Sequence, residues 1–337
     1  MKLTNTQTKI GAAVAVALLI VGMTYAVVPS PATCQSDPSA TIAALPSGGT
    51  FNGTGCYNVP NGIRITQSVT INGGIYNDPT TTVGKVFRPI IEVRGASNVT
   101  LANLTVNGAN TANKLYQASL VNEAGIDLKN TTNVVIRNVI TNSTFGDGLE
   151  LWTTGPTFKN PNTNVTVDGL TVNRAGRNAL TPADVTASSF TNMHLNSWGL
   201  TAVDFESDIT GVGAGNLTFS NSTWGGTFLQ ETFTGPVTFS NIVMSNTIFL
   251  FARHPVIFPI TFNGGSLAIG KKSNQVGVTA RGPTGATFNG VTFTRTGTKN
   301  KSPMWTATGG STLRFNQSTL VFPLGINDTA STVTVTP

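Results

Sequence analysis

Two cysteines, two histidines and only 10% charged residues leave this 337-residue chain short of the usual chemical equipment. Cys34 and Cys56 are the whole thiol inventory, and only His194 and His254 stand beside them. No zinc site can be assembled from such a set, and no cysteine nucleophile is provided for. Periodic runs of helix formers are nearly absent after residue 30, which argues against helical architecture. The net charge of +6 comes from Lys and Arg spread thinly along the chain, with Lys271-Lys272 the one adjacent pair. That pattern lacks the clustered basic stripe of a nucleic-acid binder. Long apolar runs are missing too, except Ile10 to Val28, which follows Lys2 and Lys9. Residues 1–33 therefore read as a signal peptide, cut after Ala26 or Ala32, or as an uncleaved N-terminal membrane anchor. On this reading residues 34–337 are secreted or held at the cell surface, and any membrane contact runs through the N-terminal segment. An isolated cysteine pair in an exported protein is most simply a disulfide, so Cys34 is expected to bond Cys56.

What the chain has in abundance is Thr, Asn, Gly and Val in a recurring phrase. It appears as Ser68-Val-Thr-Ile-Asn-Gly73, Asn98-Val-Thr-Leu-Ala-Asn103, Asn164-Val-Thr-Val-Asp-Gly169, Asn216-Leu-Thr-Phe-Ser-Asn221 and Gly285-Ala-Thr-Phe-Asn-Gly290. The phrase returns about every 27 residues without a linker. Short alternating segments parted by Asn or Gly, which tolerate the left-handed backbone of sharp bends, describe a β-solenoid. One coil cannot bury its apolar face alone, so residues 34–337 are expected to stack as one all-β domain. The many Asn-x-Ser/Thr triplets fall on this repeat and are explained by bend chemistry.

Nine of the fourteen carboxylates fall in one quarter of the chain: Glu123, Asp127, Asp147, Glu150, Asp168, Asp184, Asp204, Glu206 and Asp208. Gly125-Ile-Asp-Leu128, Gly148-Leu-Glu-Leu151 and Ala202-Val-Asp-Phe-Glu206 read as strands with alternate faces apolar and acidic. Asp127 to Glu150 is one coil and Glu150 to Asp204 is two. One outward row should then run Glu92, Asp127, Glu150, a position near Thr181, and Asp204, with Glu206 two residues on. Carboxylates at such spacing raise one another's pKa unless a proton, a metal or a base intervenes. A facing pair, one protonated, would serve glycoside hydrolysis. Asp127 and Glu150 could alternatively hold Ca²⁺. Arg177 is a candidate base, and Asp147 in Phe145-Gly-Asp-Gly148 is either a turn residue or a further catalytic acid. Lys129, Arg174, Arg253 and His254 are candidate substrate contacts, and Trp152 should present an exposed platform to a sugar ring.

The segment Gly49-Thr-Phe-Asn-Gly-Thr-Gly-Cys-Tyr57, with Gly48 before it, resembles the opening of pectate-lyase superfamily proteins. The resemblance implies a single-stranded right-handed parallel β-helix, a site on one sheet, and an Arg or Lys able to take the proton beside a uronate carboxyl. Gly176-Arg-Asn-Ala-Leu180 and Ala202-Val-Asp-Phe-Glu-Ser207 are similar to phrases of uncharacterised bacterial β-helix-repeat proteins. The Asn-Thr-Asp, Gly-His-Gly and Arg-Ile-Lys strings of polygalacturonases and the Trp-Ile-Asp-His string of pectate lyases are absent. The expectation is an exported, monomeric, carbohydrate-active protein working on a polysaccharide, for which an anionic one is a candidate, as a lyase or hydrolase. The alternatives are a non-catalytic glycan-binding or surface protein, or a phage tailspike-like module.

Overall fold

The computed structural model describes residues 34–79, 89–111, 116–153, 160–206, 213–230, 233–251, 258–270, 276–296, 302–321 and 324–337. Within them the chain is a right-handed parallel β-helix, with parallel pairing in every ladder. One wall is an eleven-stranded sheet to which each coil gives a single short strand, so eleven coils are present. The other walls join as an eighteen-stranded sheet, because many coils bend through a corner without losing their pairing.

Asparagine makes those corners. Asn98, Asn133 and Asn164 have φ of 57°, 56° and 54°, and Asn103 and Asn138 have 54° and 51°. Asn is the residue after Gly best able to hold this left-handed conformation. Stacking then turns each corner into a side-chain ladder. Asn133 donates to Asn98 (3.0 Å), Asn164 to Asn133 (2.6 Å) and Asn138 to Asn103 (3.2 Å), and a separate ladder at the strand ends runs Asn77, Asn107, Asn142, Asn173 and Asn196.

One core column passes through the eighteen-stranded sheet in strict register. It begins with Phe51, Ile71, Leu101, Ile136 and Val167, then turns aromatic at Phe190. Phe190, Phe219, Phe239, Phe262, Phe288 and Phe315 follow, with successive centroids 4.6, 4.9, 4.5, 4.8 and 5.0 Å apart. Those distances match the roughly 4.8 Å strand spacing, so backbone pairing dictates the stack.

The first coil is capped by the short helix Ser39–Ala43, whose Ile42 is buried. Cys34 and Cys56 form the expected disulfide, with Cα atoms 4.8 Å apart. It ties the chain before the helix to strand Gly49–Asn58. Among the described residues no helix is long and apolar enough to cross a membrane, and the segment 1–33 lies outside them.

Candidate functional site

The eleven-stranded sheet carries the acidic row. Arg64 pairs in register with Glu92, Glu92 with Asp127, Asp127 with Glu150, and Glu150 with Thr181. Leu180 pairs with Val203, which sets Asp204 beside Thr181. Ile126, Leu128, Leu149, Leu151, Leu180, Val203 and Phe205 all lie in the core. Strand alternation therefore points the intervening acids away from it.

Outward is not exposed, and here the structure corrects the sequence reading. Asp127, Glu150 and Thr181 are only 1%, 5% and 2% exposed, and Asp147 is fully buried. The segment 116–123, with a single 3-10 turn at Ala118–Leu120, lies over this face. It can sit so close because coil corners beneath it are glycine. A Cβ on Gly146 would fall 2.3 Å from the Val121 carbonyl oxygen, and one on Gly199 would fall 3.1 Å from Tyr116 Cβ. Between cover and sheet is a cavity of about 290 Å³, walled by Tyr116, Val121, Glu150, Trp152, Arg177 and Glu206 among others.

The carboxylates are divided among several cations. Lys129 Nζ lies 2.5 Å from Asp127 Oδ2 and 3.4 Å from Glu92 Oε1, and Arg64 Nε donates to Glu92 Oε2 at 2.5 Å. Lys129 also sits 5.0 Å above the Trp152 ring. Lys129 was expected to meet substrate; it is instead a buried counter-ion absent from the cavity lining. Trp152, expected to stand exposed, is half-buried with Lys129 against one face, although it does line the cavity. The guanidinium of Arg177 lies 3.4 Å from Asp147 Oδ2 and 3.5 Å from Glu150 Oε1, and it pairs with Glu206. Asp147 also accepts from the Asn178 backbone N–H (2.9 Å) and Thr181 Oγ1 (2.5 Å). The Asn178 amide donates to Thr181 Oγ1 and Asp204 Oδ2, both at 3.1 Å.

Burial dominates the protonation of this group. It pushes Glu150 well above the usual carboxylate range, aided by Asp147 and Asp127 and opposed by Arg177 and Lys129. Asp204 is raised to about 7 by burial and by Glu206, against Arg177. Asp127 is raised to about 6 by burial, with Lys129 pulling the other way. Asp147 is also raised by burial, although Arg177, Thr181 and Asn178 favour its charged form. For Arg177 burial favours the neutral form, yet Asp147, Glu206, Glu150 and Asp204 together hold it above its ordinary pKa.

Two buried polar atoms of this site, Asn178 Oδ1 and Asp204 Oδ1, have no hydrogen-bond partner in the protein, whereas the Trp152 indole is directed at Asp127. Such atoms are rare in folded chains and suit a bound hydroxylic molecule. Asp127 and Glu150, the alternative ligands for Ca²⁺, each face a cation of the protein. Among the described residues no three His, Cys, Asp or Glu side chains are grouped as a metal site.

The remaining candidates separate cleanly. Arg174 is exposed at a corner, with φ of 62°, and does not line the cavity. Arg253, His254 and Asp208 lie outside the described residues. Asp184 is a structural acid that accepts from Thr153 N–H and Oγ1, both at 2.9 Å, and Asp168 accepts from Asn192. Sequence reasoning missed Tyr116, Val121 and Asn178. The adjacency of Asn178 to Arg177 was a usable signal for one of them; nothing local marked the cover.

No protein-family model and no curated protein matches the sequence. Solved structures do resemble it. The catalytic domain of Agl-KA superposes with a TM-score of 0.54 at 15% identity, over 87% of this chain and 59% of that one. A family 28 exopolygalacturonase of Yersinia enterocolitica gives 0.46 at 12% identity, over 88% and 74%. The Streptococcus pneumoniae surface protein and adhesin PfbA gives 0.47 at 10%, over 88% and 94%. At such identities the likeness speaks for fold alone: this chain is a right-handed parallel β-helix.

Proposed function

We propose that the protein is an exported glycoside hydrolase whose acid and base are Glu150 and Asp204. The observation that carries this reading is a pair of carboxyls, both raised by burial, on either side of Thr181 in one row, with Glu150 and Thr181 lining an aromatic-walled cavity. Glu150, kept protonated by burial, gives its proton to the leaving glycosidic oxygen. Asp204, ionised above about pH 7, takes a proton from the water that attacks the anomeric carbon. Two strand spacings separate their backbones, about 9.6 Å, which suits the carboxyl separation of roughly 6.5–9.5 Å used for inversion. Arg177, on the cavity wall, pairs with Glu206 and reaches Asp147 behind it, which holds the guanidinium in place. Trp152 and Tyr116 offer ring faces to the sugar.

Hydrolysis is favoured over elimination because Lys129 and Arg177 are both committed. Lys129 is paired with Asp127 and Glu92, and Arg177 is held firmly protonated by four carboxylates, so neither is a good proton acceptor. The disulfide and the N-terminal apolar segment agree with work outside the cytoplasm. A panel of polysaccharides, assayed for new reducing ends and for unsaturated uronate absorbance, tests the proposal. Reducing ends without that absorbance are expected, with Glu150→Gln losing at least about a hundredfold in rate. Uronate absorbance would make the protein a lyase, and binding without turnover of any polysaccharide would make it a non-catalytic glycan binder.

A further inference from the structure

We infer that a groove on the eighteen-stranded sheet, lined by Phe258 and Arg314, is a non-catalytic binding site for an acidic polysaccharide. The inference shares with the hydrolase reading only the premise of a glycan partner, because the groove and the acidic row belong to different walls of the helix. The groove lies where three strands begin: Ile260–Asn263, Gly285–Asn289 and Thr312–Asn316. Its volume is about 310 Å³. Ala286, Phe288, Leu313 and Phe315 of these strands face the core, so alternation turns Thr287 and Arg314 outward. Those two are register partners, one strand spacing of about 4.8 Å apart. Gly310 leaves part of the space open. Its φ is 83°, and a Cβ there would meet nothing nearer than the Ala330 carbonyl oxygen at 4.0 Å.

Charge decides the class of ligand. Arg64, Lys129 and Arg177 on the acidic row each face a carboxylate. Arg314 is exposed and, among the described residues, has neither an ion pair nor a side-chain hydrogen bond. It is also the one charged side chain that lines the groove. Asp328, which reaches Gly309 beside it, is held by that glycine's N–H at 2.7 Å and by Ser331, and does not line the groove. A larger cavity of about 460 Å³ lies at the first coil, but its Arg64 is paired with Glu92 and Asp37 shares its wall. That cavity offers an anion no net charge, whereas the groove at Arg314 does.

The other walls favour a sugar over a peptide. Thr284, Thr287 and Thr312 add three hydroxyls, none with a side-chain partner among the described residues. Phe258 is half-buried, stands outside the core cluster and makes no ring contact among the described residues. With Pro259 and Pro283 it gives the groove an apolar side. A guanidinium fork fits a carboxylate or a sulfate ester, the hydroxyls fit sugar hydroxyls, and the apolar side fits the C–H face of a pyranose. All three strands are paired on both sides, so no free backbone edge invites an extended peptide. No carboxylate lines the groove, so it holds a polymer without an acid or base to cut it.

Native affinity electrophoresis tests this in gels containing pectate, chondroitin sulfate, xylan or poly-glutamate, with an empty gel as reference. Pectate or chondroitin sulfate should retard the wild type, the first marking a carboxylate and the second a sulfate as the preferred group. In that gel Arg314→Gln and Phe258→Leu should each bind about tenfold more weakly. Arg174→Gln has the same net charge as Arg314→Gln and should bind as the wild type does. Glu150→Gln should also bind as the wild type does, so the groove and the hydrolase reading fail separately. The site is overturned if neither acidic polysaccharide retards the wild type, or if Arg314→Gln binds equally well. Equal loss in Arg174→Gln would reduce the effect to net charge and overturn it too. Xylan binding that needs Arg314 would overturn the acidic class, and Arg314-dependent retardation by poly-glutamate as strong as by the polysaccharide would overturn the glycan.

Discussion

The side-chain amide of Asn178 donates to Asp204 Oδ2 across 3.1 Å, from the turn that precedes the neighbouring strand. A hydrogen bond to the ionised carboxylate lowers its pKa, so Asn178 restrains the upward push of burial and Glu206. Asn178→Ala should move the Asp204 titration above about 7. The acid limb of the pH–rate profile should move alkaline with it, with little loss at high pH. Carboxyl NMR of labelled Asp reads the same shift without any substrate. An unmoved titration would dismiss Asn178 as a tuning group.

Arg177 is the single cation shared by Asp147, Glu150 and Glu206. Removing one partner from a buried charge cluster is costly, so Arg177→Met should destabilise by about 3 kcal/mol at neutral pH. The loss should shrink toward pH 5, where the acids can be protonated instead. Chemical denaturation at pH 5 and 7.5 gives the comparison.

Stability should fall as pH rises. Asp127 and Asp204 have folded pKa values of about 6 and about 7, above those of an unfolded chain. Between roughly pH 4 and 7 the folded state therefore binds more protons than the unfolded one, and rising pH favours unfolding. This stabilisation is complete below about pH 4 and spent above the folded pKa. Half-buried Glu123, raised to about 7 by burial and Asp78, adds in the same sense. The melting temperature should drop across this window, and less steeply in Asp204→Asn.

The disulfide acts on one end only. It closes a loop between residues 22 positions apart. In the chain-entropy estimate, Cys34→Ser/Cys56→Ser should cost about 3 kcal/mol. Because coils contact only their neighbours, hydrogen exchange should quicken around Gly49–Asn58 and Val69–Asn77, with the coils beyond Asp204 unchanged. Uniform loss of protection would show a single cooperative unit instead.

Residue intervals were enough to align Asp127, Glu150 and Asp204, because a β-coil counts residues and the register repeats that count. The handedness and the phrase ending at Tyr57 belonged to a family resemblance, and the fold agrees with it. No interval reports what lies over a row. The cover at 116–123 contacts the site through long-range placement, so the burial of Glu150 and the half-hidden ring of Trp152 left no local trace. Lys129 shows the same limit. Its lysine two places after Asp127 reads equally well as a solvated neighbour or a buried counter-ion, and burial alone separates the two.

The change of core column at Phe190 reaches further than packing. Glu150 opens the coil whose core residue is Val167, whereas Thr181 and Asp204 open the coils of Phe190 and Phe219. The two carboxyls thus stand on opposite sides of a seam between a slender aliphatic stack and a broader phenyl one. Strand pairing fixes their gap along the axis, so what the girth of the coils behind the wall sets is how far each carboxyl is pushed outward. A phenyl traded for an isopropyl at that seam would draw one working group back relative to the other from inside, without any atom of the cavity being altered.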